Sequence, residues 1–297
     1  MPSLPLYPAL LALLGAALFG TSGLVARMGL LHGNARLGSL ISIAVTAAFY
    51  WAVSPLLLPE VPWTAAALLL FGAVFAGIGL VSPGLSLFLS FEGNRRLGAT
   101  VSGTIAATAP LFAAGSAVLL LGERMSTGIA AGTLAIVGGV MVLSWQGRGR
   151  RAWPLWAALF PLGAAFLRGG SQMAAKFGLA VAPAPFTAAL VAYSISFVAV
   201  LLAYQLGATP LPRRRLRAAL GGGVGWFALT GVLNGLALVC SYLALSAGRV
   251  VVVSPIVSTY PLFTFALSLV LRVERLGPRI LAGVLLVVLG VIVVSTH

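Results

Sequence analysis

A chain of 297 residues that is 60% apolar and 7% charged, with a mean hydropathy of +1.10, is excluded from the soluble globular class, because its surface would be apolar throughout. The net charge of +14 sits in short loops between apolar runs, so it reads as a topology signal and as contact with membrane lipid, not nucleic acid. The single cysteine, Cys240, lies inside an apolar run and excludes both a disulfide and a thiolate metal site.

In chain order, breakers and charges divide the sequence into ten apolar spans, at roughly 7–27, 37–58, 63–91, 97–121, 127–145, 153–178, 186–206, 219–246, 250–272 and 279–296. Spans of about 20 residues cross a ~30 Å hydrocarbon core at ~1.5 Å per residue. The first span lacks the basic start of a signal peptide, and its residues 15–30 recur as 163–179 with one residue inserted. Gly15/Gly163, Ser22/Ser171 and Gly29/Gly178 match, and Arg27 falls opposite Lys176. The first span is therefore expected to stay in the mature protein as a structural helix.

Residues 98–145 lie over 249–296 without a gap, and 18 of the 48 pairs are identical. Pro110/Pro261, Phe112/Phe263, Glu123/Glu274, Arg124/Arg275, Gly132/Gly283 and Gly139/Gly290 are among them. The expected fold is an all-α membrane protein of ten transmembrane helices in two five-helix repeats, 1–147 and 148–297. Five is odd, so the second half enters from the opposite face and the repeat is inverted.

Loop charges set the orientation. Loops after odd-numbered spans carry 14 Arg residues, whereas loops after even-numbered spans carry only Arg124, Lys176 and Arg249. The positive-inside rule then places the odd loops in the cytoplasm and both termini outside.

The segment around Pro110, Gly122-Glu123-Arg124 and the glycine-rich stretch Gly132–Gly139 resembles the signature of EamA-type permeases, the ten-helix branch of the drug/metabolite transporter superfamily. The segment around Pro261, Glu274-Arg275 and Gly283–Gly290 repeats it, with Val273 in place of the Gly. The first-helix pattern ending in a basic residue also matches, at Arg27 and Lys176. The resemblance implies a plasma (inner) membrane permease, more often an exporter, with both termini in the cytoplasm. On that last point the loop charges of this chain imply the reverse.

Arg168 is the strongest candidate for chemistry, because it lies well inside the sixth span between Phe166-Leu167 and Gly169-Gly170. A cation at that depth costs at least ~2.5–3.5 kcal/mol unless it pairs or reaches water. Arg168, Gln172 and Lys176 recur every fourth residue and form one polar stripe about 12 Å long on a helix. Positive charge there favours a carboxylate or phosphate. Ser171 beside the stripe, Thr21 and Ser22 at the equivalent place in the first span, Thr108, Tyr193, Asn234, Ser258 and Tyr260 complete the expected solute-binding set. Pro110 and Pro261 are expected as mid-helix hinges, and Gly169-Gly170 as a helix break.

The chain has no Asp, and its four Glu residues fall at span ends or in loops, which leaves a mid-membrane proton relay without a carboxylate. Neither an intramembrane protease nor a metal enzyme can be assembled from these residues, and no ATP-binding GxxxxGK[ST] occurs. No cofactor and no catalysis are expected. The expected function is secondary transport, by export or exchange, of a small organic metabolite with an anionic group, an amino acid or related compound. The expected mechanism is alternating access between the halves, in a monomer or weak dimer among membrane lipids. The alternatives are a polyspecific drug or cation exporter and a lipid flippase.

Overall fold

The computed structural model describes residues 6–32, 35–57, 64–97, 102, 105–144, 155–207, 223–271 and 278–296. All regular structure among them is helical: α1 (Leu6–Leu30), α2 (Ala35–Leu57), α3 (Ala65–Gly79), α4 (Ser86–Leu97), α5 (Ala109–Leu121), α6 (Thr127–Ser144), α7 (Leu159–Val181), α8 (Pro185–Gly207), α9 (Val224–Ala247), α10 (Val250–Val257), α11 (Tyr260–Val270) and α12 (Pro278–Thr296). These form ten spans, because a π-helical turn at Leu80–Leu85 joins α3 to α4, and α10 and α11 are two halves of the ninth.

The third span is not the unbroken helix expected over 63–91. Ser82 is extended (φ −136°, ψ 108°) and precedes Pro83-Gly84. A residue before proline is pushed out of the helical region, and proline supplies no N–H, so the ladder slips. Beyond the slip α4 continues to Leu97. Glu92 pairs with Arg96 at 2.5 Å, and the Arg96 guanidinium lies over the Trp156 and Phe160 rings at 4.6 and 5.0 Å. This cation–π stack holds a turn that was expected to be loop.

The fourth and ninth spans are broken where bent helices were expected. Thr108 Oγ1 donates to the Ile105 carbonyl and Thr259 Oγ1 to the Ile256 carbonyl, each at 2.7 Å. Pro110 and Pro261 then occupy the first turn of a new helix, where no intrahelical N–H is required. The two breaks match residue for residue under the repeat.

Helix interfaces come in corresponding pairs. Phe227 of α9 packs on Gly29 of α1, and Phe75 of α3 on Gly178 of α7. Thr46 of α2 donates to the Gly231 carbonyl at 2.7 Å, and Ser196 of α8 to the Gly79 carbonyl at 2.8 Å. α6 and α12 pair antiparallel, Gly132 against Gly290 and Gly139 against Gly283. Lipid tails supply no hydrophobic drive between helices, so small residues that admit close backbone packing decide these contacts. The pairing is that of a two-fold axis in the membrane plane, which makes the repeat inverted in space as well as in sequence.

Candidate functional site

Two bundles result. In the first, α1, α2 and α9 pack with the broken ninth span; in the second, α7, α8 and α3–α4 pack with α5. The bundles meet at the end where α9 finishes. There α9 packs on α7 and α8, Tyr50 of α2 meets Phe186 and Tyr193 of α8 edge-on at 5.6 and 5.7 Å, and Phe75 meets Tyr242 at 5.6 Å. At the opposite end, among the described residues, α4 has no equivalent packing on α1 and α2. One end is closed by aromatic contacts, whereas at the other, here called the open end, no contact of that kind joins the bundles among the described residues.

Arg168 is half-buried on α7, and its Nη2 donates to Ser90 Oγ of α4 at 2.6 Å, toward the open end. Lys176 works at the closed end, where its Nζ donates to the Leu245 and Gly248 carbonyls at 2.8 Å each. The stripe expected from the sequence is therefore divided, with Arg168 tied to α4 and Lys176 to the closed end. Gln172 stands between them, and its Oε1 is buried without a hydrogen-bond partner among the described residues.

Ser254 Oγ on α10, a helix in contact with α7, is likewise buried and unpartnered. Gly169 packs at the break of the fourth span, and the ninth is broken at the equivalent place. Gln172 lies past Gly169 and Ser254 before Thr259, so each is displaced from its break toward the closed end, by about 4.5 Å and about 7.5 Å along its helix. Near the breaks, Ser22 donates to the Asn234 amide oxygen at 2.6 Å, so the amide's two N–H donors are what remain for another partner.

The other expected residues are tied to backbone or to neighbouring rings. Thr21 donates to the Ala17 carbonyl at 2.8 Å, Ser171 to Leu167 at 2.7 Å and Ser258 to Ser254 at 2.9 Å, as Thr108 does to Ile105. Such back-bonding is the ordinary fate of hydroxyls in membrane helices. Tyr193 belongs to the aromatic contact with Tyr50. Tyr260, 40% exposed, borders a cleft of about 350 Å³ with Gly23, Arg27, Leu143, Thr264 and Ser268. Arg27 and not Arg168 stands in that cleft, so it is not the headgroup groove that lipid handling through Arg168 would require.

α7 runs unbroken through Gly169-Gly170, contrary to the expected break there. A β-carbon on Gly169 would stand 2.7 Å from both the Ala109 carbonyl oxygen and the Ala113 nitrogen, whereas one on Gly170 would meet nothing within 4 Å. The first glycine serves a helix crossing, and the second faces open space.

Two features escaped the sequence reading. Ser42, Thr46 and Tyr50 donate in turn to the carbonyls of Phe227, Gly231 and Gly235 at 2.8, 2.7 and 2.7 Å, a ladder that fastens α2 to α9. The every-fourth-residue spacing of these hydroxyls was a usable signal. Glu123, which the sequence places at a span end or in a loop, accepts hydrogen bonds from the Val250 and Val251 N–H groups at 2.9 and 3.0 Å. No local pattern announces that long-range contact.

Comparison with known proteins agrees with the architecture. The EamA-like transporter family matches residues 6–145 and again residues 155–296, one match for each half. One solved crystal structure aligns over 97% of this chain and 98% of its own with a TM-score of 0.73, and at 17% identity that likeness concerns the fold alone. No curated protein matches the chain. With nearly its whole length covered by two matches, the chain belongs to the EamA-like transporter family.

Proposed function

We propose that this multi-pass membrane protein is a secondary transporter of a small organic solute bearing an anionic group, an amino acid or related metabolite. It exports or exchanges that solute across the plasma (inner) membrane by rocking its two bundles about the breaks of the fourth and ninth spans. The observation that carries the reading is Arg168. Its guanidinium is half-buried on the open side and bonds the neutral Ser90, a contact that leaves its positive charge to be met by a solute. A carboxylate matches the guanidinium fork in charge and in shape.

Deeper in, the Asn234 N–H groups, Gln172 Oε1 and Ser254 Oγ supply donors and acceptors for the polar remainder of the solute. An amino group suits the Gln172 oxygen. The open end is the one whose loops hold most of the arginines, so the charge rule makes this a cytoplasm-facing state. A cation exporter would favour an acidic residue at depth, and the sequence puts none there.

Thermal unfolding of the purified protein against amino acids, organic acids, sugar phosphates, organic cations and lipids, with Arg168→Ala alongside, tests the reading. A ligand at ~100 times its dissociation constant stabilises by about 2.7 kcal/mol, a shift of a few degrees. Stabilisation by carboxylates that disappears in the variant is the expected result. Stabilisation by cations or lipids alone, equal in both proteins, would overturn it.

A further inference from the structure

The third span carries a bend that its counterpart in the second half lacks. α3 ends at Gly79, the π-helical turn follows at Leu80–Leu85 with Ser82 extended, and α4 starts at Ser86. α9, the eighth span, runs unbroken from Val224 to Ala247. The two sides of the bend are held differently. α3 is fixed in the closed half, where the Gly79 carbonyl accepts from Ser196 at 2.8 Å and Phe75 packs on Gly178 and meets Tyr242 at 5.6 Å. α4 is held by α7 and by the short helical turn Leu155–Ala158 that precedes it. Ser90 Oγ accepts from Arg168 Nη2 at 2.6 Å, a β-carbon on Gly93 would stand 2.9 Å from the Pro161 ring, and Arg96 stacks on Trp156 and Phe160. Ser90 also donates to the Ser86 carbonyl at 2.8 Å. Its proton is thus committed to the first residue of α4 and a lone pair to Arg168, so one hydroxyl links the guanidinium to the edge of the bend.

We infer that Ser90 is a positioning residue that holds Arg168 for the solute and couples its capture to closure: when a carboxylate takes the guanidinium, Ser90 releases it and α4 swings at Leu80–Leu85 across the open end toward α1 and α2. The inference rests on the role of Arg168 proposed above and adds a moving arm to the rocking of the bundles. A carboxylate displaces a neutral hydroxyl because hydrogen bonds between ionised partners are roughly twice as strong as neutral ones. The bend is suited to a hinge, since Pro83 supplies no N–H and the helical ladder has already slipped there. The place α4 would reach is shown by α9, which packs on α7 and α8 at the closed end, whereas α4 has no such packing on α1 and α2 among the described residues. Without the bend, α4 would have to carry α3 with it and break the Ser196 and Phe75 contacts of the closed half.

The test is a pair of distance measurements by spin labelling in lipid nanodiscs, on a Cys240→Ala background. Labels at Leu31→Cys and Asn94→Cys report α4 against the end of α1, and labels at Leu31→Cys and Leu159→Cys report the start of α7 against the same point. Ser90→Ala removes the tie to Arg168. Without solute it should raise the population with a short 31–94 distance about tenfold, or about 1.4 kcal/mol, and leave 31–159 unchanged. A mixture of the common L-amino acids should do the same to the parent. Pro83→Ala, which restores an N–H at the bend, should keep the thermal stabilisation by that mixture and lose the shift. If 31–94 and 31–159 shorten together, α4 moves with its bundle and the arm is refuted, while rocking stands. If Ser90→Ala lowers the melting temperature with both distributions as in the parent, Ser90 is a packing contact and the inference falls. If Pro83→Ala moves like the parent, the hinge is not at this turn. If Ser90→Ala moves α4 but the amino acids do not, the arm stands and the proposed solute is wrong.

Discussion

A β-carbon on Gly20 of α1 would stand 2.5 Å from the carbonyl oxygen of Tyr260, the first residue after the break in the ninth span. Gly169 bears the same relation to Ala109 after the break in the fourth, and its β-carbon would stand 2.7 Å from that carbonyl. Each break is thus braced by a helix that can approach it only because a side chain is missing. Gly20→Ala and Gly169→Ala should each cost about 1–3 kcal/mol, the usual penalty of overpacking. Gly170→Ala, with open space around it, should be neutral or slightly stabilising, because alanine is the better helix former. Melting temperatures of the three variants decide the matter, and a destabilised Gly170→Ala would show that the open space is not there.

Gln172→Leu separates a binding role from a packing role. A buried acceptor without a partner costs roughly 1–3 kcal/mol, so an apolar side chain of similar size should raise stability. Solute binding should weaken at least tenfold in the same variant. A fall in both stability and binding would mean that Gln172 has a structural partner in the membrane.

Thr46→Val and Ser196→Ala remove equivalent hydrogen bonds, to the Gly231 and Gly79 carbonyls. Each should destabilise by about 0.5–1.5 kcal/mol, and the two losses should be similar. Chemical denaturation of both variants checks this, and a several-fold difference in cost would break the equivalence of the two halves.

Much of the architecture was legible in the sequence. Pro110 over Pro261 and Gly132 over Gly283 reveal two halves, and an odd number of spans in each half fixes their relation. At the breaks a proline alone suggests a bend, whereas the hydroxyl two residues earlier, Thr108 or Thr259, donates to the carbonyl three residues before it and ends the helix outright. Pro83 gives no such signal, because the apolar run continues across it. Site residues were harder. Lys176 looks from spacing like an extension of Arg168, but the carbonyls it binds belong to a helix about 70 residues away, and spacing within one helix cannot report them. Glu123 is the same case, a turn residue by its local sequence and a cap by its distant partner.

Cysteines placed in turn at positions 213–217, a loop that lies outside the described residues, test the orientation. The arginines there should keep this loop in the cytoplasm, so membrane-impermeant thiol reagents should fail to label it in whole cells. Rapid labelling in intact cells would place the open end outside and reverse the direction in which this state faces.

Solute counterflow in proteoliposomes tests the central claim most directly, using the carboxylate that best stabilises the purified protein and comparing the parent with Arg168→Lys. Lysine keeps the charge but loses the two-pronged guanidinium fork. Exchange in the parent, with at least tenfold weaker exchange in the variant at an unchanged melting temperature, is the result expected if Arg168 holds the solute. Equal exchange kinetics in the two proteins would contradict it and leave Arg168 as a structural partner of Ser90.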